Sequence, residues 1–175
     1  LSPDFFAVHP VEADAPEEDV LLLDFAFLST VPEATLRVPS YSRWLEVQDQ
    51  IPAYSYMERL LKLLEWQLPK RRWVLKTPHH MEFLDALFAV FPQTRIIHTH
   101  RDPAETLASF ASMISHGRGV FSDSVDPREV GWDWTRKIHR MMLRSIKFRK
   151  ENPDKPVIDV YYEDLLEDPI AEVER

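Results

Sequence analysis

Cysteine is absent from the 175 residues of this chain, and its absence excludes two kinds of site. No disulfide framework can form, and no metal can be held by thiolates. A chain without cysteine fits a reducing compartment, so the expected location is cytoplasmic.

Glycine is almost as scarce, with only Gly117, Gly119 and Gly131. None of these lies in a glycine-rich loop between a strand and a helix, which α/β proteins commonly use to hold phosphate near the start of the sheet. The chain also begins at Leu1 rather than at methionine and ends at Arg175 inside an apparent helix. We therefore expect residues 1–175 to be a single partial domain, with residues 1–16 as a connecting segment.

Long apolar runs and an excess of positive charge are missing too. No stretch approaches the ~18 apolar residues needed to cross a membrane. The formal net charge of −8 argues against a nucleic-acid partner, because such partners usually need a basic surface. An acidic protein that binds an anion must concentrate its cations locally, so single basic residues matter more here than the total charge.

The most informative segment runs from Thr94 to Pro103 and reads TRIIHTHRDP. It predicts an apolar strand that leads through Arg101 into a new helix, in which Ser109 follows eight residues later. The planar fork of arginine suits phosphate oxygens, and the first turn of a helix adds unpaired N–H groups. A second predicted strand, within WVLKTP, also ends on a cation, Lys76. Two such strand ends favour one phosphate-rich ligand at the carboxyl edge of a parallel sheet.

Hydrophobic periodicity places helices between the predicted strands. Helices are expected over 17–28, 54–68, 127–150 and 163–175 and after Pro78 and Pro103, with a loop over 116–127. Alternating strands and helices predict an α/β fold in which a parallel β-sheet is flanked by helices. Its strands would be Trp73–Lys76, Arg95–Thr99 and Val157–Tyr161. In the helix after Pro103 the apolar stripe leaves Ser109 facing a ligand or solvent.

Three strand ends thus read LKTP, THRDP with its later serine, and YYEDL. In that order they resemble the sulfotransferases that use 3′-phosphoadenosine 5′-phosphosulfate (PAPS), and most closely the bacterial branch similar to tyrosylprotein sulfotransferases. The resemblance covers residues 73–169, which would be the nucleotide-binding core, and extends more loosely from His9 onward. It implies a partial P-loop NTPase-like sulfotransferase fold. It also implies transfer of a sulfuryl group from PAPS to a hydroxyl or amine, with no metal.

The same resemblance implies a role for each matching residue. Arg101 and Ser109 would hold the 3′-phosphate of the nucleotide, and Tyr162 would lie near the adenine. Lys76 would lie beside the sulfuryl group that is transferred. Among the histidines, His79 is the better candidate for contact with the substrate.

The catalytic base is expected outside these residues. In cytosolic relatives the base is a histidine two positions after the lysine, but here that position is Pro78. Tyrosylprotein-type relatives use a glutamate soon after the 5′-phosphosulfate loop, and that loop is missing from this sequence. We therefore expect the fragment itself to be inactive.

Several alternatives stay open. Arg101 could simply pair with Asp102 or Glu105, and Lys76 could be a solvated lysine. A P-loop kinase of a small metabolite would need Mg²⁺ ligands and a Walker-type loop, neither of which is visible in the sequence. A non-catalytic nucleotide-binding domain is a further possibility. The acceptor (a small molecule, carbohydrate, lipid or peptide) and the oligomeric state cannot be read from these residues.

The histidines offer little support for a metal site. His79, His80 and His100 include no helical i,i+4 pair and have no carboxylate at a telling spacing, so a zinc site is not expected. His98 and His100 are expected to face opposite sides of their strand, since side chains alternate along a strand.

Overall fold

The computed structural model describes residue 12 and residues 15–67 and 72–174. Within these ranges it contains several short helices, three long helices and two strands. In chain order these are α1 (Val20–Asp24), α2 (Val31–Thr35), α3 (Pro39–Leu45), α4 (Ile51–Gln67), a 3₁₀ helix (Pro78–Glu82), α5 (Leu84–Val90), β1 (Ile96–His100), α6 (Pro103–Gly119), α7 (Pro127–Glu151), β2 (Val157–Tyr161), α8 (Tyr162–Glu167) and α9 (Pro169–Glu174).

The two strands form a parallel pair, joined through α6 and α7. Their register runs from Ile96 opposite Val157 to His100 opposite Tyr161. A parallel pair requires a crossover connection, and two helices supply it here. The predicted α/β fold with a parallel sheet is confirmed, and both carboxyl ends lie at one edge.

The prediction of a third strand over Trp73–Lys76 is wrong. The segment is extended but forms no ladder with any strand among the described residues, and Val74 is 90% exposed. Apolar and β-branched residues favour a strand only where a neighbouring strand can accept their backbone hydrogen bonds. Trp73 is held instead by its side chain, whose Nε1 donates to Glu65 Oε1 at 2.8 Å.

The long helices agree best with the sequence. α7 covers the predicted 127–150 and extends by one residue, and α4 begins three residues before the predicted start. Leu68, the predicted end of that helix, lies outside the described residues. The predicted helix over 17–28 is reduced to the five residues of α1.

Three boundaries differ for identifiable reasons. The helix after Pro78 begins as a 3₁₀ turn, in which the Thr77 hydroxyl accepts from the backbone N–H of His79 at 3.3 Å. α6 continues into the predicted loop as far as Gly119, because the buried Arg118 donates to the backbone oxygen of Glu33 at 2.6 Å. The last helix divides at Asp168, whose carboxylate accepts backbone N–H groups of the next helix.

The apolar core has two parts. One lies between α1, α4 and α5 and includes Leu23, Tyr54 and Met57, all fully buried. The other lies between α6 and α7 around Ile114 and Trp134. Each large apolar side chain buried in this way contributes about 1.5–3 kcal/mol to folding.

Ion pairs on α7 connect it to the amino-terminal helices. Lys137 pairs with Glu33 of α2, and both side chains are buried. Arg140 pairs with Glu46 and with the buried Glu82 at the end of the 3₁₀ helix. α7 therefore holds the 3₁₀ helix that carries His79. Across the described ranges, no helix is both long and apolar enough to cross a membrane.

Candidate functional site

The carboxyl ends of β1 and β2 bring Arg101 and Tyr162 together. Each residue directly follows its strand, and the last residues of the strands, His100 and Tyr161, lie opposite each other. The guanidinium carbon of Arg101 is 4.7 Å from the centre of the Tyr162 ring. This cation–π contact holds a flat cation beside a flat aromatic ring at the edge where α/β proteins bind their ligands.

Arg101 also pairs with Glu105, one turn into α6. Its NH2 nitrogen lies 3.0 Å and its Nε 3.3 Å from Glu105 Oε2, and its side chain is nearly half exposed. A solvated pair one helical turn apart contributes only about 0.3–0.5 kcal/mol. A phosphate could therefore replace Glu105 at little cost. The pairing with Glu105 that the sequence left open is real, and it leaves the guanidinium accessible.

The start of α6 is capped by Asp102. Its Oδ1 accepts from the backbone N–H of Ala104 at 2.7 Å and of Glu105 at 3.2 Å. Further along this helix Ser109 is exposed, whereas Ile114 is buried and Leu107 and Phe110 are half-buried. Ser109 therefore lies on the open face of α6, as the periodicity predicted.

Lys76 lies at the end of the extended segment and pairs with Glu18, just before α1. Its side chain is 76% exposed. Within the described chain it contacts neither Arg101 nor Tyr162, so the structure brings together two of the predicted site residues and leaves Lys76 as a separate cation. Each of the two cations, Lys76 and Arg101, is paired with a glutamate.

His79 is buried, with only 2% of its surface exposed. Its ring packs against Phe83 at a centroid distance of 4.9 Å, and neither ring nitrogen has a hydrogen-bond partner among the described residues. Burial, and then the charge of the neighbouring His80, lower the pKa of His79 to about 3. The opposing effect of Asp19 is smaller. The imidazole is therefore neutral near pH 7.

His80 occupies the centre of a hydrogen-bonded chain. Its Nδ1 lies 2.8 Å from the hydroxyl of Tyr54, and its Nε2 lies 2.9 Å from Asp19 Oδ2. Burial, and then the charge of Asp19, raise the pKa of Tyr54 well above its usual range. These hydrogen bonds anchor the segment before α1 to the 3₁₀ helix. Glu18, which precedes Asp19, is thereby placed next to Lys76. Sequence reasoning missed it because Asp19 and His80 are 61 positions apart.

The expectation that His98 and His100 face opposite sides of the strand is wrong. Side chains alternate with a period of two, so residues two apart share a face. The two rings are 4.2 Å apart, and His100 Nε2 lies 2.7 Å from Asp159 Oδ1 on β2. Arg149 of α7 also bonds both oxygens of Asp159, at 2.8 and 2.6 Å.

This cluster brings three potential metal ligands within 4.8 Å of one another, namely His98, His100 and Asp159. Arg149 already occupies the space between them, because its NH1 nitrogen lies 3.4 Å from His98 Nδ1 as well as 2.8 Å from Asp159. Hydrogen bonds from Arg149 and His100 hold the pKa of Asp159 well below its usual range, although partial burial opposes them. Burial, with the charges of His100 and Arg149, lowers the pKa of His98. A metal ion would have to displace a guanidinium, so the cluster acts as a clamp between α7 and the sheet.

A sequence model of the sulfotransferase family matches residues 2–175, which is nearly the whole chain. The chain belongs to the sulfotransferase family. No curated protein sequence gives a significant match.

Two crystal structures of mycobacterial sulfotransferases are similar to this family member. Sulfotransferase STF1 from Mycobacterium tuberculosis H37Rv is 32% identical with a TM-score of 0.84, over 95% of this chain. Sulfotransferase STF9 from Mycobacterium avium is 28% identical with a TM-score of 0.86, over 94% of this chain. The chain spans 46% of the first structure and 42% of the second, so it corresponds to less than half of either.

Proposed function

We propose that the protein containing this chain moves a sulfuryl group from PAPS to a hydroxyl or amine acceptor. The observation that carries the proposal is the meeting of Arg101 and Tyr162 at the carboxyl ends of two parallel strands. A guanidinium beside an aromatic ring offers donors for a phosphate and a surface for a purine. The sulfotransferase family of the chain supports the same chemistry.

In this proposal each predicted site residue keeps its role. Arg101 and Ser109 hold the 3′-phosphate, and Tyr162 lies near the adenine. Lys76 neutralises charge on the bridging oxygen of the leaving phosphate. His79 is proposed to contact the substrate, which requires the 3₁₀ helix to open, since the ring is buried in this structure.

Sulfuryl transfer resembles phosphoryl transfer in what it demands of a protein. The acceptor oxygen, the sulfur and the leaving oxygen must lie in line, and cations must face the oxygen on which charge grows. In this proposal the leaving nucleotide is held by backbone N–H groups and by cations such as Arg101, so the reaction uses no metal.

The proposal also covers the domain, the acceptor and the cellular location. Residues 73–169 form the nucleotide-binding core of one partial domain, and the acceptor is a small molecule, carbohydrate, lipid or peptide. The location is cytoplasmic. Residues 1–175 alone transfer no sulfuryl group, because the 5′-phosphosulfate loop is absent from this sequence.

The test is substitution of Arg101 in the complete gene product. We expect Arg101→Ala to weaken binding of adenosine 3′,5′-bisphosphate by about 1.5–3 kcal/mol, the cost of losing a charge-assisted contact. Binding of adenosine 5′-monophosphate, which lacks the 3′-phosphate, should change far less. Isothermal titration with both nucleotides measures the difference.

Arg95→Ala is the matched control for this experiment. Arg95 is an exposed arginine just before β1, at the opposite end of the strand from Arg101. Its removal changes the net charge equally but should leave both affinities intact. Equal losses for the two nucleotides in Arg101→Ala would remove the main support for a 3′-phosphate site.

A further inference from the structure

We propose that Glu18 is the general base that takes the proton from the acceptor. The inference rests on the proposed sulfuryl transfer and names a residue for the one step that the predicted site residues leave unassigned. Sequence reasoning expected this base outside the chain, whereas the structure brings a carboxylate to the proposed reacting centre.

The first observation is the position of Glu18. Its carboxylate pairs with the ammonium of Lys76, the cation proposed to face the leaving oxygen. About a third of the Glu18 side chain is exposed, so an acceptor can reach it. In the proposed function Lys76 faces the leaving oxygen, so a carboxylate in contact with Lys76 would lie beside the reacting sulfur. A general base needs both reach and access, and this position supports both.

The second observation is that the neighbouring candidates are engaged. His79 is buried, and both ring nitrogens of His80 are taken by Tyr54 and Asp19. Asp19 is itself buried against His80. Glu18, by contrast, contacts Lys76 and stays open to solvent.

The third observation is that the residue next to Glu18 is anchored. The bond from Asp19 to His80 holds the adjacent residue, and the backbone N–H of Glu18 donates to Glu17 Oε1 at 2.9 Å. The helix α1 begins two residues later. The carboxylate is therefore presented by an anchored segment, which is the preorganisation that proton transfer requires.

The acceptor oxygen or nitrogen forms a bond to sulfur, while the bond from sulfur to the bridging oxygen breaks. The electron pair of that bond moves to the 5′-phosphate of the leaving adenosine 3′,5′-bisphosphate, where Lys76 faces it. The acceptor proton moves to a carboxylate oxygen of Glu18. No oxidant, reductant or metal takes part.

The experiment compares Glu18→Gln with the unchanged complete gene product, using radiolabelled PAPS and a panel of phenol, carbohydrate, lipid and peptide acceptors. We expect turnover with the best acceptor to fall about 10²- to 10⁴-fold, as is typical on loss of a general base. Affinity for adenosine 3′,5′-bisphosphate should stay the same or rise, because Lys76 loses a competing anion. In Glu18→Ala, added formate should restore part of the turnover.

The matched control is Glu58→Gln, which removes a glutamate that also pairs with a lysine, Lys62 on α4. It should retain full turnover. If Glu18→Gln keeps turnover within about threefold, or if formate restores nothing in Glu18→Ala, Glu18 is not the base and the proposed function is unaffected. If the unchanged protein transfers nothing to any acceptor, the proposed function fails and this inference fails with it.

Discussion

Among single residues, Lys76 tests the proposed chemistry most directly. Its contribution should appear in turnover rather than in nucleotide binding, because charge on the bridging oxygen grows only as the transition state forms. Lys76→Ala should therefore lower kcat about 10²- to 10³-fold and change nucleotide affinity little. Steady-state kinetics and titration on the complete gene product measure both quantities. A variant with normal turnover would make Lys76 an ordinary surface lysine.

His79 leads to a prediction about pH. Its folded pKa of about 3 lies below the ordinary value, so the unfolded chain takes up a proton that the folded chain excludes. Stability should therefore fall as the pH drops below about 6.5, by about 2 kcal/mol at pH 5. His79→Leu should flatten this part of the curve, as measured by urea unfolding at several pH values.

The control for His79 is Phe83→Leu, which disturbs the ring packed against the histidine and leaves the imidazole in place. It should lower stability at every pH and keep the slope between pH 6.5 and 5. An unchanged slope in His79→Leu would mean that other groups cause the acid sensitivity.

How well the sequence predicted the position of a candidate site residue depended on whether its partners are local. The positions of Arg101 and Ser109 follow from a strand end and a helical period, so spacing alone located them. Glu18 could not be found in this way, because its contact with Lys76 joins residues 58 positions apart. The two-residue period of a strand is enough to place His98 and His100 on one face, so the prediction of opposite faces was an error of reasoning.

Of the elements, α6 depends most on its first residue. Asp102 accepts two backbone N–H groups that would otherwise lack partners, and its negative charge faces the positive end of the helix dipole. Asp102→Ala should cost about 1 kcal/mol in thermal or urea unfolding. Asp102→Asn keeps a side-chain acceptor and should retain most of the stability. Equal losses in both variants would assign the effect to charge alone.

Helices and strands could be predicted where the pattern of their own residues is enough to determine the structure. The long amphipathic pattern of α7 and the apolar runs of β1 and β2 carry enough local information to be found. The extended segment 73–76 has the composition of a strand, but a strand also needs a neighbour, which local sequence cannot supply. The continuation of α6 to Gly119 depends on a bond from Arg118 to α2, which is equally non-local.

At the scale of the whole molecule, Lys137 and Glu33 form an ion pair in which both side chains are buried. Burial, and then the charge of Arg140, lower the pKa of Lys137 to about 7. Breaking a buried pair leaves one uncompensated charge, so Lys137→Met should cost about 3–5 kcal/mol. The double variant Lys137→Met with Glu33→Gln should recover much of this loss, because neither charge remains and an amide oxygen can still accept from Ser42.

Urea unfolding of both single variants and the double variant gives the coupling energy between the two residues. Ser42 Oγ lies 2.5 Å from Glu33 Oε2, so the amide introduced by Glu33→Gln keeps this hydroxyl as a partner. Additive losses would show that the two buried charges do not stabilise each other.

The parallel pairing of β1 with β2 also sets an order on folding. His100 and Asp159 meet across 59 positions of chain, so the strands can pair only after that loop has closed. Closing long loops and forming non-local pairs are slow, whereas a helix such as α7 forms locally within about a microsecond. The edge that carries Arg101 and Tyr162 is therefore completed late, after the two helices of the crossover.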